Sequence, residues 1–327
     1  MNQRPTILVF DSGLGGLTVF REIVKARPDA SYVYAADDAF FPYGQHGEAQ
    51  LVARVVPLMQ ELLAAHAPDL VVIACNTAST LVLPHLRARF AVPFVGTVPA
   101  IKPACMASRS RLVSVLGTEA TVQREYTRAL IRDFGQGCEV TLVGSAHLAR
   151  LAESALRDIA IDDDAVAREI APCFVAQGDR RTDAIVLACT HYPLLLERLV
   201  RRAPWPVDWI DPAAAIARRV TDLIGPARTS AAHGAARAIF TSAIEPPPSL
   251  AAALARFGID NIVAGVRPAK FDNKKSSVRK ETPDEVTERE MDAAGPRNGS
   301  GRDVADPAFP GGRDRKDEKR RRYDRPL

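Results

Sequence analysis

Lysine is nearly missing from most of this 327-residue chain: before Lys270 only Lys25 and Lys102 occur. Neither stands in a cofactor-binding setting, so Schiff-base chemistry on pyridoxal phosphate has no anchor. Cysteine is scarce too. The five present (Cys75, Cys105, Cys138, Cys173 and Cys189) are odd in number and contain no C-x-x-C pair, which argues against a disulfide framework and for a reducing compartment. No H-E-x-x-H spacing offers a metal site. The stretch "GLGGLT" (13–18) is not G-x-G-x-x-G, because Thr18 takes the last position, and no G-K-[ST] follows, so a nucleotide fingerprint is lacking. Long apolar runs are absent as well: no uncharged 18-residue window exists and "MNQRPTILVF" carries no h-region. A soluble cytoplasmic protein without metal or organic cofactor is expected.

A strong charge of either sign is also missing. The chain has 43 basic and 39 acidic side chains, and from Ala269 onward 16 face 13, which leaves a surplus of one for the first 268 residues. Nothing in that body suggests a nucleic-acid surface. From about Lys270 the apolar periodicity stops and Gly, Pro and mixed charges take over, ending in "RDRKDEKRRRYDRPL". Such a segment buries too little apolar surface to offset its ordering entropy, so 269–327 is expected to be a disordered tail.

What the sequence does contain is alternation. Short apolar runs at 6–10, 31–36, 70–74, 93–96, 111–117, 139–144, 184–188, 207–210 and 237–242 read as strands. Amphipathic stretches such as 47–66, 120–134 and 163–177 read as helices between them. Strands this uniformly apolar belong to mainly parallel sheets covered on both faces, the α/β class.

An internal echo divides the chain. "LVVIACNTAS" (70–79) and "AIVLACTHYP" (184–193) both run apolar strand, Ala, Cys, small polar residue, 114 positions apart. "ILVFDSGLGGLT" (7–18) and "LVSVLGTEATV" (112–122) place polar loops after strands at an offset of about 105. Two related halves, each lending corresponding strand-end loops to one cleft, account for both offsets. We therefore expect two pseudo-symmetric domains, 1–97 with 210–268 and 98–209, with the site between them. Two thiols facing each other across a bound molecule suit inversion of a stereocentre: one removes a proton from one face while the other returns one to the opposite face. Cys105, Cys138 and Cys173 lack this context and read as structural.

The motifs "DSGLGG" (11–16), "PYG" (42–44), "CNTA" (75–78), "GTVPA" (96–100), "GTEAT" (117–121) and "CTHYPLL" (189–195), in this order, resemble those of the cofactor-independent amino-acid racemases, and within them the glutamate-specific branch. The resemblance covers about residues 5–268. It implies two α/β domains enclosing glutamate, with Cys75 taking the proton from D-glutamate and Cys189 from L-glutamate, and a product destined for peptidoglycan. It further implies that Asp11 assists around Cys75, that His191 assists around Cys189, and that Glu153 orients that histidine. Ser12, Tyr43, Gly44, Asn76, Thr77 and Thr190 match substrate contacts, with Thr118 and Thr121 as helpers, and a homodimer is implied. The chain departs from the pattern in "ADDAFFPYG", where Asp38 and Phe40 replace a Thr and an Arg, and at Ser145-Ala146, which replaces Cys-Pro.

Plainer roles stand beside these. Asp11, Asn76 and Thr77 read equally as helix caps, and Glu153 as a solvated helical residue. A Cys189/His191 hydrolase is the competing enzyme, against which i and i+2 residues at a strand end are expected to diverge. Aspartate racemases carry a Glu after the second Cys-Thr, where this chain has His191. A binding protein is the remaining alternative, its basic tail meeting an acidic partner or DNA gyrase, on which some members of the glutamate branch act.

Overall fold

A computed structural model describes residues 4–135, 137–227 and 234–265. The proposed tail, 269–327, lies outside them. The strands are β1 (Thr6–Asp11), β2 (Ser31–Ala36), β3 (Leu70–Ile73), β4 (Phe94–Gly96), β5 (Leu112–Thr118), β6 (Glu139–Ser145), β7 (Ala176–Gln177), β8 (Arg180–Arg181), β9 (Ala184–Ala188), β10 (Asp208–Ile210), β11 (Ala236–Phe240) and β12 (Asn261–Ala264). They form a six-stranded sheet, β12-β11-β2-β1-β3-β4, and a four-stranded sheet, β10-β9-β5-β6, with β7-β8 as a separate pair. Every pairing within the two larger sheets is parallel. The fold is two-domain α/β, as the alternation implied.

Side-chain alternation shows why these runs are buried on both faces. Along β1, Ile7 and Val9 enter one apolar cluster while Leu8 and Phe10 enter the cluster on the other side. In β9, Ala184, Val186 and Ala188 face one cluster and Ile185 and Leu187 the other. Each fully buried Val, Leu or Ile contributes about 1.5 to 3 kcal/mol. Sheets sandwiched this way leave their strand ends as the places where polar residues gather.

The topology makes the internal echo physical. In the larger sheet the chain leaves β1 toward β2 on one side and toward β3 on the other; in the smaller, β5 leads to β6 on one side and lies against β9 on the other. β1 beside β3 thus corresponds to β5 beside β9, and these are the two pairs matched in sequence. Ligands of open α/β sheets collect at the carboxyl ends where the winding reverses. Those ends carry Asp11 and Cys75 in one half and Thr118 and Cys189 in the other.

Two of the helices differ from expectation, and one edge strand is new. The helix read over 163–177 stops at Ile170, and Ala171–Cys173 tightens into a 3₁₀ turn around Pro172. Gly178, with φ of +57°, then turns β7 into β8. The helix read over 120–134 is two, Glu119–Gln123 and Glu125–Phe134, broken at Arg124; the Thr127 hydroxyl donates to the carbonyl of Thr121 at 2.6 Å, satisfying a group the break frees. β12, four residues at the sheet edge, was not anticipated.

Candidate active site

The loop after β1 is organised by Asp11. Its Oδ2 accepts from the Gly13 and Gly16 amides at 3.2 and 3.0 Å, and the Tyr34 hydroxyl lies 3.4 Å away while donating to the Gly13 carbonyl at 2.8 Å. Asp11 thus organises the turn, but the helix Leu17–Ala26 that follows has no side-chain cap, so the reading of Asp11 as a helix cap does not hold. Its Oδ1 is buried with no partner. Burial raises its pKa, opposed by the charge of His191 and by the Gly16, Ser12 and Gly13 amides.

Cys75 ends the run of β3 and is 6% exposed. Its sulfur lies 3.6 Å from Ser12 Oγ. Burial, then the charge of Asp11, push this thiol up to about 12 against the help of the Ala78 amide and Ser12; Cys189 raises it further. The helix Asn76–Leu81 follows, but neither Asn76 nor Thr77 caps it: no side chain bonds at its start, and both polar atoms of the Asn76 amide are buried without partners. Buried polar atoms in native proteins find partners, and the Asn76 amide, next in the chain to Cys75, has its hydrogen-bonding capacity unused within the protein.

In the smaller sheet, Cys189, also 6% exposed, ends β9. The chain curls there: the Tyr192 amide donates to the Cys189 carbonyl at 3.0 Å, and the Cys189 sulfur lies 3.8 Å from His191 Nδ1. The expectation that these i and i+2 side chains diverge is thus wrong, because a hydrogen-bonded turn rather than extended backbone joins them, leading into the 3₁₀ helix Tyr192–Leu195. Glu153, on the helix Leu148–Leu156, places Oε1 3.0 Å from His191 Nε2. It is buried, not solvated. Burial opposes a charged ring at His191, yet hydrogen bonds and charge from Cys189 and Glu153 raise its pKa well above the usual histidine value. Burial likewise works against the Glu153 carboxylate and is the largest single influence, but the bond to His191, the charge of His191, the Leu14 amide and Arg157 together outweigh it and lower the pKa.

The two halves interlock at these groups. Leu14 N–H donates to Glu153 Oε1 at 2.9 Å, Gly15 N–H approaches His191 Nε2 at 3.2 Å, and the Thr18 hydroxyl donates to the Thr190 carbonyl at 3.1 Å. Nε2 serves one neighbour at a time: protonated it donates to Glu153, deprotonated it accepts from Gly15. A methyl group on Gly15 would fall 2.6 Å from both the ring Cγ and the backbone nitrogen of His191, and one on Gly13 would fall on Glu153 Oε1. The glycine run is thus the space that admits the partner half's side chains. Across the site Thr77 Oγ1 lies 3.2 Å from Thr118 Oγ1 and 3.4 Å from Thr121 Oγ1, which in turn are 2.9 Å apart. Gly44 packs on Thr118.

Tyr43 behaves differently from its neighbours. Its hydroxyl donates to Asp37 Oδ2 at 2.7 Å, and Asp37 also receives Arg54 and, at 2.7 Å, the Thr241 hydroxyl. The departures noted in this loop have defined work: Asp38 accepts from the Ser242 amide at 2.9 Å, and Phe40 stacks on His46 at 3.9 Å. At the other departure, Ser145 accepts from the Leu148 amide and bonds Glu169. Sequence reasoning missed Phe41, whose ring packs 5.4 Å from that of His191, and Arg157, which lies on Glu153. The i, i+4 spacing of Glu153 and Arg157 was the available signal for the second. Among the described residues no cluster of His, Cys, Asp and Glu fits a metal ion, and no helix is long and apolar enough to cross a membrane.

Comparisons with known proteins identify the family. The Asp/Glu/Hydantoin racemase family profile matches residues 7–220. The glutamate racemase of Brucella anthropi is 57% identical over 227 residues, 69% of this chain and 81% of that protein. The Brucella ovis glutamate racemase is 57% identical over 228 residues, covering 69% and 82%. Among solved structures, Escherichia coli glutamate racemase in complex with L-glutamate and the activator UDP-MurNAc-ala superposes with a TM-score of 0.73 at 40% identity, over 80% of this chain and 98% of that one. The Thermus thermophilus glutamate racemase in complex with beta-chloro-D-alanine gives 0.60 at 29% identity, over 80% and 96%.

Proposed function

Since the chain belongs to the Asp/Glu/Hydantoin racemase family, we propose that it is a glutamate racemase that inverts Cα by two-thiol proton transfer without a cofactor. The observation that carries this is the equivalence of Cys75 and Cys189: two buried thiols at corresponding strand ends of two related sheets, with an orphaned amide and carboxylate oxygen beside one of them. The partition into 1–97 with 210–268 and 98–209 goes with the same proposal, supported by the sheet to which each strand belongs.

In this reading the Cys189 thiolate takes the α-proton of L-glutamate while the Cys75 thiol delivers a proton to the opposite face; D-glutamate reverses the roles. Burial and the Asp11 charge suit Cys75 to wait as a protonated donor. His191 stands where it exchanges the Cys189 proton, oriented through its far nitrogen by Glu153. Asn76, with Ser12, Thr77, Thr118, Thr121 and Thr190, offers hydroxyls and amide hydrogens to the carboxylates, while Tyr43, occupied by Asp37, shapes the wall. The closed site replaces water around the carbanion with fixed dipoles. We place the D-glutamate product in peptidoglycan supply, which the muramyl activator of the E. coli relative supports.

The test is the full chain, without added cofactor, on L-glutamate in deuterated water, followed by circular dichroism and deuterium at Cα. Racemisation with exchange is expected, and Cys75→Ser and Cys189→Ser are each expected to lose roughly 10²–10⁴-fold. Full activity in either variant ends the two-thiol mechanism. The 3.8 Å contact of Cys189 with His191 favours one second reading, a hydrolase with these as nucleophile and base. A hydrolase would survive Cys75→Ala.

A further inference from the structure

Arg157 is four residues beyond Glu153, one turn along the same helix face, where side chains meet. Its Nη2 lies 3.1 Å from Glu153 Oε2, with the arginine side chain 31% exposed and the glutamate 12%. The two carboxylate oxygens are therefore divided. Oε1 serves His191 Nε2 and the Leu14 amide, and Oε2 serves Arg157. A carboxylate held only through Oε1 would turn about its last torsion, which is broad and two-fold. The arginine also supplies a positive charge, which adds to the stronger support that His191 and the Leu14 amide give the Glu153 carboxylate.

Among the described residues no such line stands behind Cys75. Its sulfur meets Ser12, and Asp11 nearby bonds the Gly13 and Gly16 amides through Oδ2 while its Oδ1 has no partner. The line Arg157, Glu153, His191, Cys189 thus runs from near the surface to one thiol only.

We propose that Arg157 is a positioning residue for the Cys189 half-reaction, pinning Glu153 so that His191 is held with one ring nitrogen on the carboxylate and the other on the sulfur. The proposal deepens the racemase reading and rests on it for its kinetic consequence. The groups facing His191 and Glu153 are Cys189 from β9's end, Asp11 and the Leu14 and Gly15 amides from the loop after β1, Tyr34 from β2 and Arg157 at the C-terminal cap of the helix that carries Glu153. Arg157 is the outermost cation in this set, so removing it changes the charge while leaving the packed interior in place.

The experiment uses the full chain with ¹⁵N-histidine, in wild-type, Arg157→Ala and Arg157→Lys forms. The His191 ring signals are identified by their loss in His191→Gln. Ring titration, racemisation against pH in both directions, and thermal melting are recorded. In Arg157→Ala the His191 titration is expected to move down by about half a pH unit, a threefold change; loss of the cation by itself would move it up, so a downward move reports the loosened Glu153 bond and an upward move overturns the proposal. kcat from L-glutamate falls more than kcat from D-glutamate, and Arg157→Lys restores most of both. An unmoved His191 titration in Arg157→Ala overturns the proposal, as does equal loss in the Ala and Lys variants accompanied by a lowered melting temperature. A wild-type protein that does not racemise glutamate ends the racemase reading instead, while the ring titration still decides whether Arg157 governs His191.

Discussion

Gly15→Ala is the most economical probe of the interlocked site. Gly15 has no positive φ, so alanine meets no backbone penalty there, and the whole effect is steric. The new methyl group would stand 2.6 Å from His191 Cγ and 2.6 Å from the His191 backbone nitrogen. A ring can rotate away, but a backbone nitrogen at the end of β9 cannot, so the two halves must separate locally. Overpacking of this kind costs about 2 to 3 kcal/mol. For a unit of this size that lowers the melting temperature by roughly 4 to 8 °C. Displacing His191 and its sulfur partner by about 1 Å should reduce kcat/KM about 100-fold. Gly47→Ala is the control: nothing lies nearer than Gln50 Oε1 at 3.8 Å, and loss of a glycine N-cap costs only about half a kcal/mol. Differential scanning calorimetry and polarimetric assay of both variants decide the matter. Wild-type activity and melting in Gly15→Ala would refute the claim that the glycine run exists to admit His191.

Two further predictions concern protonation. With burial and then Asp11 pushing Cys75 up to about 12, its alkylation by iodoacetamide, read by peptide mass spectrometry, should accelerate roughly tenfold per pH unit between pH 7 and 9; a plateau by pH 8 would show a thiolate already formed. His191 is raised above its ordinary 6.5 in the folded state, so its protonated ring contributes stability fully below that pH and loses it as pH climbs through the raised value. Glu153 is lowered below 4.5, so its contribution is present above that pH and lost as acid is added. Melting temperature should therefore fall from pH 6.5 into the alkaline range, and His191→Gln should flatten that slope; an identical slope in the variant sinks the assignment.

Much of this architecture was legible in the chain itself. Nine strands fall where apolar runs predict them, because strands buried on both faces carry an unbroken apolar signal. β12 escaped because its four residues alternate between half-buried and exposed at a sheet edge, and β7 and β8 because two residues carry no pattern. Cys75 and Cys189 were legible through the internal echo. The reason for Gly13 and Gly15 was not, since the atoms they make room for belong to Glu153 and His191, 139 and 176 residues away in the bonds that mark the contact. Local spacing likewise could not show that Phe41 lies against His191, or that a turn would bring Cys189 and His191 together.

One topological fact bears on how the molecule is made. The larger sheet starts with β1 and is finished by β11 and β12, with all of the smaller sheet threaded between; the hydroxyl of Thr241 reaches Asp37 across 204 residues. Until β11 arrives, β2 presents a bare edge of unpaired amides and carbonyls, the kind of surface that templates misassembly. Synthesis from the N-terminus therefore produces the first four strands early and leaves them waiting, whereas β5, β6, β9 and β10 come off the ribosome in one contiguous stretch and can close at once. The half that begins first is the half that ends last.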